Sequence, residues 1–521
     1  MGVYLGLDES TQGLTAVVID TELGSVVLSE SVNFGQALPE YSSPHGFLEH
    51  EDARVCHADP LLWVAALERL FEQIVASGFD LASVRGVSGA AQQHGSVYLK
   101  TRIDAAPAWS ERSPLSDQVR PLLSRPTAPI WLDSSTSAEC AEITAALGNE
   151  RSIVALSGSR AIERFTGPQI RKFWKTEPEA YEVTAEVTLV SAFMASILIG
   201  ASAPIDYGDG AGMNLMDLRG SSWSPELLSA TAPNLASKLP NTVPSATRIG
   251  QVAPYFVARF GFAPETPVLA FTGDNPSSLV GMGATEPGTF VVSLGTSDTV
   301  FAAMREPRTD PRGFGHVFGN PAGGFMSLIC FANGSLAREA VAQRVGLSWP
   351  AFERAILEQS KPGNDENFML PFFVPEMTPK VSEPRAFLEG SAAFREFRDP
   401  AANARAIVEA QALSMQRYSD WIGEPPQVLR VTGGASQNRG ILQVLADVFE
   451  ARIETLSSSN SVALGGALRA AQAALGLPWS ELYARFVVPD PGVRIESAAG
   501  SALAYRGLRA KFADKSSTLG V

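Results

Sequence analysis

Two apolar runs, Val3 to Leu7 and Ala16 to Ile19, flank the small polar string Asp8-Glu9-Ser10-Thr11-Gln12-Gly13. That spacing predicts strand, turn, strand. Asp59-Pro60 then opens a helix, with Asp as N-cap and Pro at the first helical position. Leu67, Leu70, Phe71 and Ile74 form its apolar stripe, and Gly78 stands where a terminating glycine belongs. A strand and hairpin are predicted over Val84 to Leu99, and beyond them strands and helices keep alternating. An α/β architecture follows.

The stretch from Pro240 to Pro254 is rich in Pro, Ser and Thr and reads as a domain boundary, dividing the chain into 1–252 and 253–521. The second part repeats the grammar of the first. Pro267 to Phe271 is a buried strand, and Phe290 to Leu294 and Thr299 to Ala303 make a hairpin about Gly295-Thr296-Ser297-Asp298. Val428 to Val431 runs into Thr432-Gly433-Gly434-Ala435-Ser436 and a helix from about Asn438. A last helix, Ser461 to Ala474, is so dense in Ala and Gly that close packing is expected of it.

With 521 residues, 45% hydrophobic and 18% charged, the chain has ample material for packed cores. Its net charge of −14 argues against general affinity for nucleic acid or anionic membrane. A phosphorylated ligand therefore has to be held locally, by aimed N–H groups and a metal ion. Cys56, Cys140 and Cys330 are far apart, match no zinc spacing and fit a reducing compartment. The first strand leaves no room for a secretory segment, and no run of about 18 uncharged apolar residues occurs. A cytoplasmic protein, monomer or homodimer, with small-molecule partners and neither nucleic acid nor membrane is expected.

The two small polar turns expose backbone N–H groups and hydroxyls, and each carries an Asp, Asp8 and Asp298. They read either as ordinary Asx-type hairpins or as anion cradles, one in each part of the chain. No Walker motif is present, nor a Gly-x-Gly-x-x-Gly after a strand. In Thr272-Gly273-Asp274-Asn275-Pro276, Asp274 either caps a helix or stands at the carboxyl end of a strand, ready to accept a hydroxyl proton. Gln92-Gln93-His94-Gly95 is a surface turn or a group of amides and imidazole suited to a polyol. Arg160, Glu163 and Arg164 form a second polar cluster, and Thr432-Gly433-Gly434 is a tight turn or bare backbone open to a nucleotide.

Taken in order, these segments resemble the FGGY carbohydrate kinases, and among them the xylulose kinases of animal type. The resemblance rests on Leu5-Gly-Leu-Asp-Glu-Ser-Thr-Gln12, Val87-Ser-Gly-Ala-Ala-Gln-Gln-His-Gly-Ser96, Ile130-Trp-Leu-Asp-Ser-Ser-Thr136 and Gly158-Ser-Arg-Ala-Ile-Glu-Arg-Phe-Thr-Gly167. It continues through Ile205-Asp-Tyr-Gly-Asp-Gly-Ala-Gly-Met-Asn214, Phe271-Thr-Gly-Asp-Asn-Pro276, Ser293-Leu-Gly-Thr-Ser-Asp298 and Thr432-Gly-Gly-Ala-Ser436.

The resemblance implies two actin-like, ribonuclease H-like ATPase domains flanking a central cleft. It implies ATP as co-substrate, Mg²⁺, and transfer of the γ-phosphoryl group to D-xylulose. Another ketopentose or polyol (L-xylulose, ribulose, glycerol) and an actin-like ATPase that phosphorylates no small molecule are the alternatives. A sugar-binding regulator without catalysis stands behind both. Asp274 becomes the general base, with Gln93, His94, Arg164, Asp274 and Asn275 as sugar contacts. Ser10, Thr11, Gln12, Gly295, Thr296 and Ser297 become phosphate contacts, and Trp349, Gly433, Gly434 and Asn438 line the adenine end. Asp8 holds the metal through water. Thr15 departs from the pattern, which has Lys there.

Overall fold

The computed structural model describes residues 2–456 and 460–518. Contacts divide the chain into two compact units. The first comprises Met1–Gly283, Val317–Phe325 and Ser458–Val487; the second comprises Ala284–His316, Met326–Ser457 and Val488–Val521.

In the first unit β1 (Val3–Glu9), β2 (Gly13–Asp20) and β3 (Ser25–Asn33) form an antiparallel meander. β4 (Val84–Ala91) lies parallel to β1. The hairpin expected over 84–99 does not form. After β4 the loop Gln92–Gly95 carries the chain away, and β5 (Ser96–Leu99) pairs with β6 (Glu186–Leu189). The Pro-, Ser- and Thr-rich stretch leads β7 (Arg248–Gln251) and β8 (Pro267–Leu269) into the same sheet, so this unit continues to Gly283. The resulting order is β7-β8-β4-β1-β2-β3, with β9 (Thr272–Gly273) also pairing β4. Helix Pro60–Ala76 forms as the sequence predicts, its N-cap Asp59 accepting from the Leu61 N–H. Its apolar stripe packs into the core with Leu5, Leu7, Phe256 and Val268.

The second unit repeats this order. β10 (Thr289–Leu294) pairs antiparallel with β11 (Asp298–Met304), and β12 (Phe325–Phe331) lies beyond β11. On the other side β13 (Val428–Thr432) and β14 (Arg452–Leu456) run parallel to β10, and β15 (Pro489–Ile495) closes the edge. In each sheet the first strand of the hairpin is central, with its partner and a further strand on one side and two parallel strands and an antiparallel edge strand on the other. The architecture is α/β, with two ribonuclease H-like, actin-type domains.

Helix Ser461–Leu475 belongs to the first unit and packs as closely as its composition predicts. A Cβ at Gly6 of β1 would lie 1.9 Å from the Ala463 carbonyl oxygen, and one at Gly465 would lie 2.0 Å from that of Ser277. Glycine there lets the helix approach the carboxyl halves of β1 and β4. Arg469 on this helix is buried and donates to the carbonyl oxygens of Gly89 (3.1 Å) and Ala270, tying two strand ends together.

Candidate active site

Three parallel strands of the first unit end in register. Asp8 of β1 stands beside Ala90 of β4, and Ala90 beside Thr272 of β9. Ser10, Gln92, Gln93 and Asp274 follow immediately, so three chain crossings deliver polar groups to the carboxyl edge of one sheet. Open α/β sheets bind ligands at that edge.

Asp274 is the first residue of helix Asp274–Gly281, whose N-cap is Gly273. Its carboxylate does not cap the helix. Oδ1 accepts from the Asn275 backbone N–H (2.7 Å) and from Asn275 Nδ2 (2.8 Å). Burial raises its pKa to about 6, against the lowering effect of those two bonds. Asn275 Nδ2 also donates to Gln93 Oε1 at 2.9 Å. Gly273 makes room for Gln93, since a Cβ there would lie 2.5 Å from Gln93 Cγ.

His94 adopts φ 71° and is buried. Its Nδ1 lies 2.8 Å from the Gly212 carbonyl oxygen, which can only accept. Nδ1 therefore carries the proton and Nε2 keeps a lone pair. Burial first, then the Arg164 charge, push its pKa down to about 3, so the ring is neutral at working pH. It stacks on Phe165 at 4.3 Å.

Asp8 has its pKa raised to about 7, chiefly by burial and secondly by Asp274, and its Oδ1 has no hydrogen-bond partner. Ser10 closes the adjoining turn by donating from N and Oγ to the Gly13 carbonyl oxygen. Thr11 Oγ1 accepts from Trp131 Nε1 at 2.8 Å. Ser10 and Gln12 are exposed.

The second unit carries a cavity of about 670 Å³. One wall is the β10–β11 turn, with Gly295 and Thr296; another is the end of β13, with Gly434, Gln437 and Asn438; Trp349 and Glu353 stand on a third. Gly433 has φ 89°, and a Cβ on it would lie 2.4 Å from the Leu294 carbonyl oxygen. At Gly434 a Cβ would meet nothing within 4 Å. Asn438 caps helix Arg439–Phe449, accepting from the Ile441 N–H at 3.0 Å. Trp349 is 45% exposed, an apolar surface open to stacking.

Residues 114–281 match the N-terminal domain, and 290–474 the C-terminal domain, of the FGGY family of carbohydrate kinases. A xylulose kinase of Rattus norvegicus is 40% identical over 98% of this chain and 96% of its own. The chain belongs to the FGGY family of carbohydrate kinases. Xylulose kinase 2 of Arabidopsis thaliana is 38% identical, over 90% of this chain and 87% of its own. Among solved structures, a xylulose kinase from Rhodospirillum rubrum superposes with a TM-score of 0.84 at 20% identity, covering 99% of both chains. A Plasmodium falciparum glycerol kinase with ADP does so at 0.80 and 16%, covering 99% of this chain and 98% of its own. At those identities the superpositions show the fold.

In this FGGY kinase the residues singled out from sequence fall into two groups. Asp8, Gln93, His94, Arg164, Asp274 and Asn275 belong to the first unit. Gly295, Thr296, Trp349, Gly434 and Asn438 line the second unit's cavity, while Ser297 and Gly433 adjoin its walls without lining it. Asp298, the acid carried by the second turn, is committed elsewhere: both its oxygens are held by Arg338 at 2.7 and 3.0 Å, and the pair is buried. Trp131, Gly212, Ser335 and Gln437 were not singled out from sequence, although Trp131 and Gly212 lie within the motifs that carry the resemblance and Ser335 follows the turn Asn333-Gly334 at the start of helix Ser335–Arg344.

Proposed function

We propose that this carbohydrate kinase transfers the γ-phosphoryl group of ATP to the 5-hydroxyl of D-xylulose, giving D-xylulose 5-phosphate and ADP. The sugar assignment draws on the relatives above, whose names carry it. The observation that carries the chemistry is Asp274. A carboxylate with pKa about 6 stands at the edge of the sheet, both its bonds from Asn275 on one oxygen, beside Gln93 and a neutral His94.

The 5-oxygen attacks the γ-phosphorus as the bond to the β,γ-bridging oxygen breaks, and Asp274 takes the proton. His94 Nε2 accepts from a sugar hydroxyl, Asn275 and Gln93 orient the acceptor, and Arg164 adds a cation beside them. Ser10, Thr11 and Gln12 contact phosphate through exposed backbone and hydroxyls, as do Gly295, Thr296 and Ser297. Trp349, Gly433, Gly434 and Asn438 receive the adenine end. Thr15 supplies no charge where the family pattern has Lys.

Asp8 suits a divalent cation. It is a desolvated carboxylate with an unpartnered oxygen, and no cation among the causes of its pKa shift offsets its burial. Mg²⁺ prefers one or two carboxylates plus water and phosphate oxygens, so Asp8 would hold it through water. Bound there, Mg²⁺ supplies neutralisation of the phosphate charge. The enzyme's place is the cytoplasm, its partners are sugar and ATP, and it acts as a monomer or homodimer; among the described residues no helix is long and apolar enough to cross a membrane.

ADP release measured across D-xylulose, L-xylulose, D- and L-ribulose and glycerol, with and without Mg²⁺, tests this. D-Xylulose is expected to give the highest kcat/KM, with strict Mg²⁺ dependence. ATP hydrolysis indifferent to every sugar would replace a kinase with an ATPase, and a clear preference for another acceptor would replace the sugar.

A further inference from the structure

The segment Ile205–Asn214 contains Asp209, to which the proposed chemistry gives no role. Asp209 is fully buried at 0% exposure, and its position is fixed on two sides. Its backbone N–H donates to Asp206 Oδ1 at 2.8 Å, and its Oδ2 accepts from Ser191 Oγ at 2.5 Å. Its other oxygen, Oδ1, is buried and makes no bond of good geometry, and the same is true of Gln93 Nε2. One is an acceptor and the other a donor. The side chains lie near enough for the Gln93 amide to lower the Asp209 pKa, though burial wins and raises it well above the ordinary value.

The direction of each amide along this line is forced. Asn275 must turn Nδ2 toward Asp274, because an ionised carboxylate only accepts. Gln93 must then offer Oε1 to that same Nδ2. Its Nε2 is left pointing elsewhere, and the group that can receive it is Asp209 Oδ1. A flipped Gln93 would set N–H against N–H at Asn275 and oxygen against oxygen at Asp209.

We infer that Asp209 is a positioning residue for phosphoryl transfer. Its carboxyl fixes the Gln93 amide, Gln93 fixes Asn275, and Asn275 holds Oδ1 of Asp274, leaving Oδ2 for the acceptor hydroxyl. The same loop holds the other sugar contact, since the Gly212 carbonyl sets the His94 tautomer. Asn keeps the Oδ1 acceptor for Gln93 and sets an amide against Ser191 Oγ, a hydroxyl that can accept as well as donate.

The inference rests on the sugar-kinase reading, and its test separates the two. kcat and KM for sugar and ATP are measured for Asp209→Asn, Asp209→Ala, Gln93→Leu and the Asp209→Ala/Gln93→Leu double variant, together with a crystal structure of Asp209→Ala. Asp209→Ala is expected to lose on the order of 10- to 100-fold in kcat/KM for sugar with the ATP KM unchanged. Asp209→Asn should stay within about threefold of wild type, and the double variant should be no worse than Gln93→Leu alone, the mark of two residues acting as one. In the Asp209→Ala crystal the Gln93–Asn275 bond should be lost or the amide turned. Multiplying losses in the double variant, an Asn variant as poor as Ala, or a Gln93 unmoved in the crystal each overturns the inference. If no sugar is a substrate the kinase reading falls, and the crystal structure still decides the Asp209–Gln93 link.

Discussion

Replacing Asp274 by Asn separates a catalytic base from a residue that merely starts a helix. The amide keeps an oxygen for the two Asn275 donors, so helix Asp274–Gly281 retains its local bonds. What is lost is the basic lone pair. A positioned general base contributes roughly 10²- to 10⁴-fold, or about 3–5 kcal/mol of barrier. Turnover should therefore fall at least about a hundredfold, with both substrates still binding.

The same substitution has the opposite effect on stability. Folded Asp274 has its pKa raised from 3.8 to about 6, so between those values the folded state binds more protons than the unfolded one. Stability falls as pH rises through that window, and above pH 6 the buried charge costs at most about 3 kcal/mol. Some of the side chain remains open to solvent, and screening reduces that figure. Asn carries no charge, so at pH 7.5 the variant should melt a few degrees higher than wild type while nearly inactive. In wild type, kcat/KM for the sugar should fall tenfold per pH unit below about 6, and the residual activity of the variant should lack that limb. Steady-state kinetics from pH 5 to 8 and a thermal melt measure all three. Near-normal turnover with a lowered Tm would make Asp274 a structural residue and remove it from the mechanism.

Thr15 faces Asp8 across the β1–β2 hairpin, with its hydroxyl 3.0 Å from Ser31 Oγ. Thr15→Lys puts an ammonium on the face of Asp8 and should lower the ATP KM severalfold without altering the sugar KM; an unchanged or raised ATP KM refutes this. Gly433→Ala and Gly434→Ala should differ in kind. The first is strained and crowded by the Leu294 carbonyl and should lower Tm by several degrees, whereas the second should fold normally and weaken ATP. Equal melting temperatures for the two would contradict the backbone geometry. His94→Phe retains the stack on Phe165 and removes the Nε2 acceptor, so the sugar KM should rise about tenfold or more with the ATP KM constant. In wild type the sugar KM should show no titration near pH 6.5, because burial holds His94 neutral down to about pH 3.

Local rules made much of this molecule legible. The β1–β2 and β10–β11 hairpins, the Asp59-capped helix and the glycine-rich helix Ser461–Leu475 all form from patterns short enough to read directly. Contacts distant in sequence were less legible. Gln92–Gly95 looked like the turn of a hairpin because nothing local says that β5 pairs with a strand almost ninety residues later. Composition marked Pro240–Pro254 as a seam, but parallel pairing of β8 and β9 with β4 keeps the chain in the first sheet well beyond it. Asp298 looked like Asp8, a small polar turn with an acid. What separates them is Arg338, forty residues away, which neutralises one and has no counterpart at the other.

That contrast bears on how the first unit is built. Asp8, Glu9, Asp206, Asp209 and Asp274 all have raised pKa values, and in each case burial is the first cause. Arg469 is the basic group acting on any of them, and it offsets Asp206. Its guanidinium is meanwhile committed to two strand-end carbonyls, and burial lowers its own pKa to about 10. A core selected for stability alone would replace such acids with apolar residues or pair each with a cation. Here the less completely buried acids, Asp8 and Asp274, remain uncompensated, with pKa values of about 7 and about 6, which suits one to a divalent cation and the other to a proton in transit. The fully buried acids Glu9 and Asp209 are held strongly toward the neutral form, and Asp209 accepts from Ser191. Extent of burial, offset at Asp206 by Arg469, separates these chemically similar side chains more than residue type does.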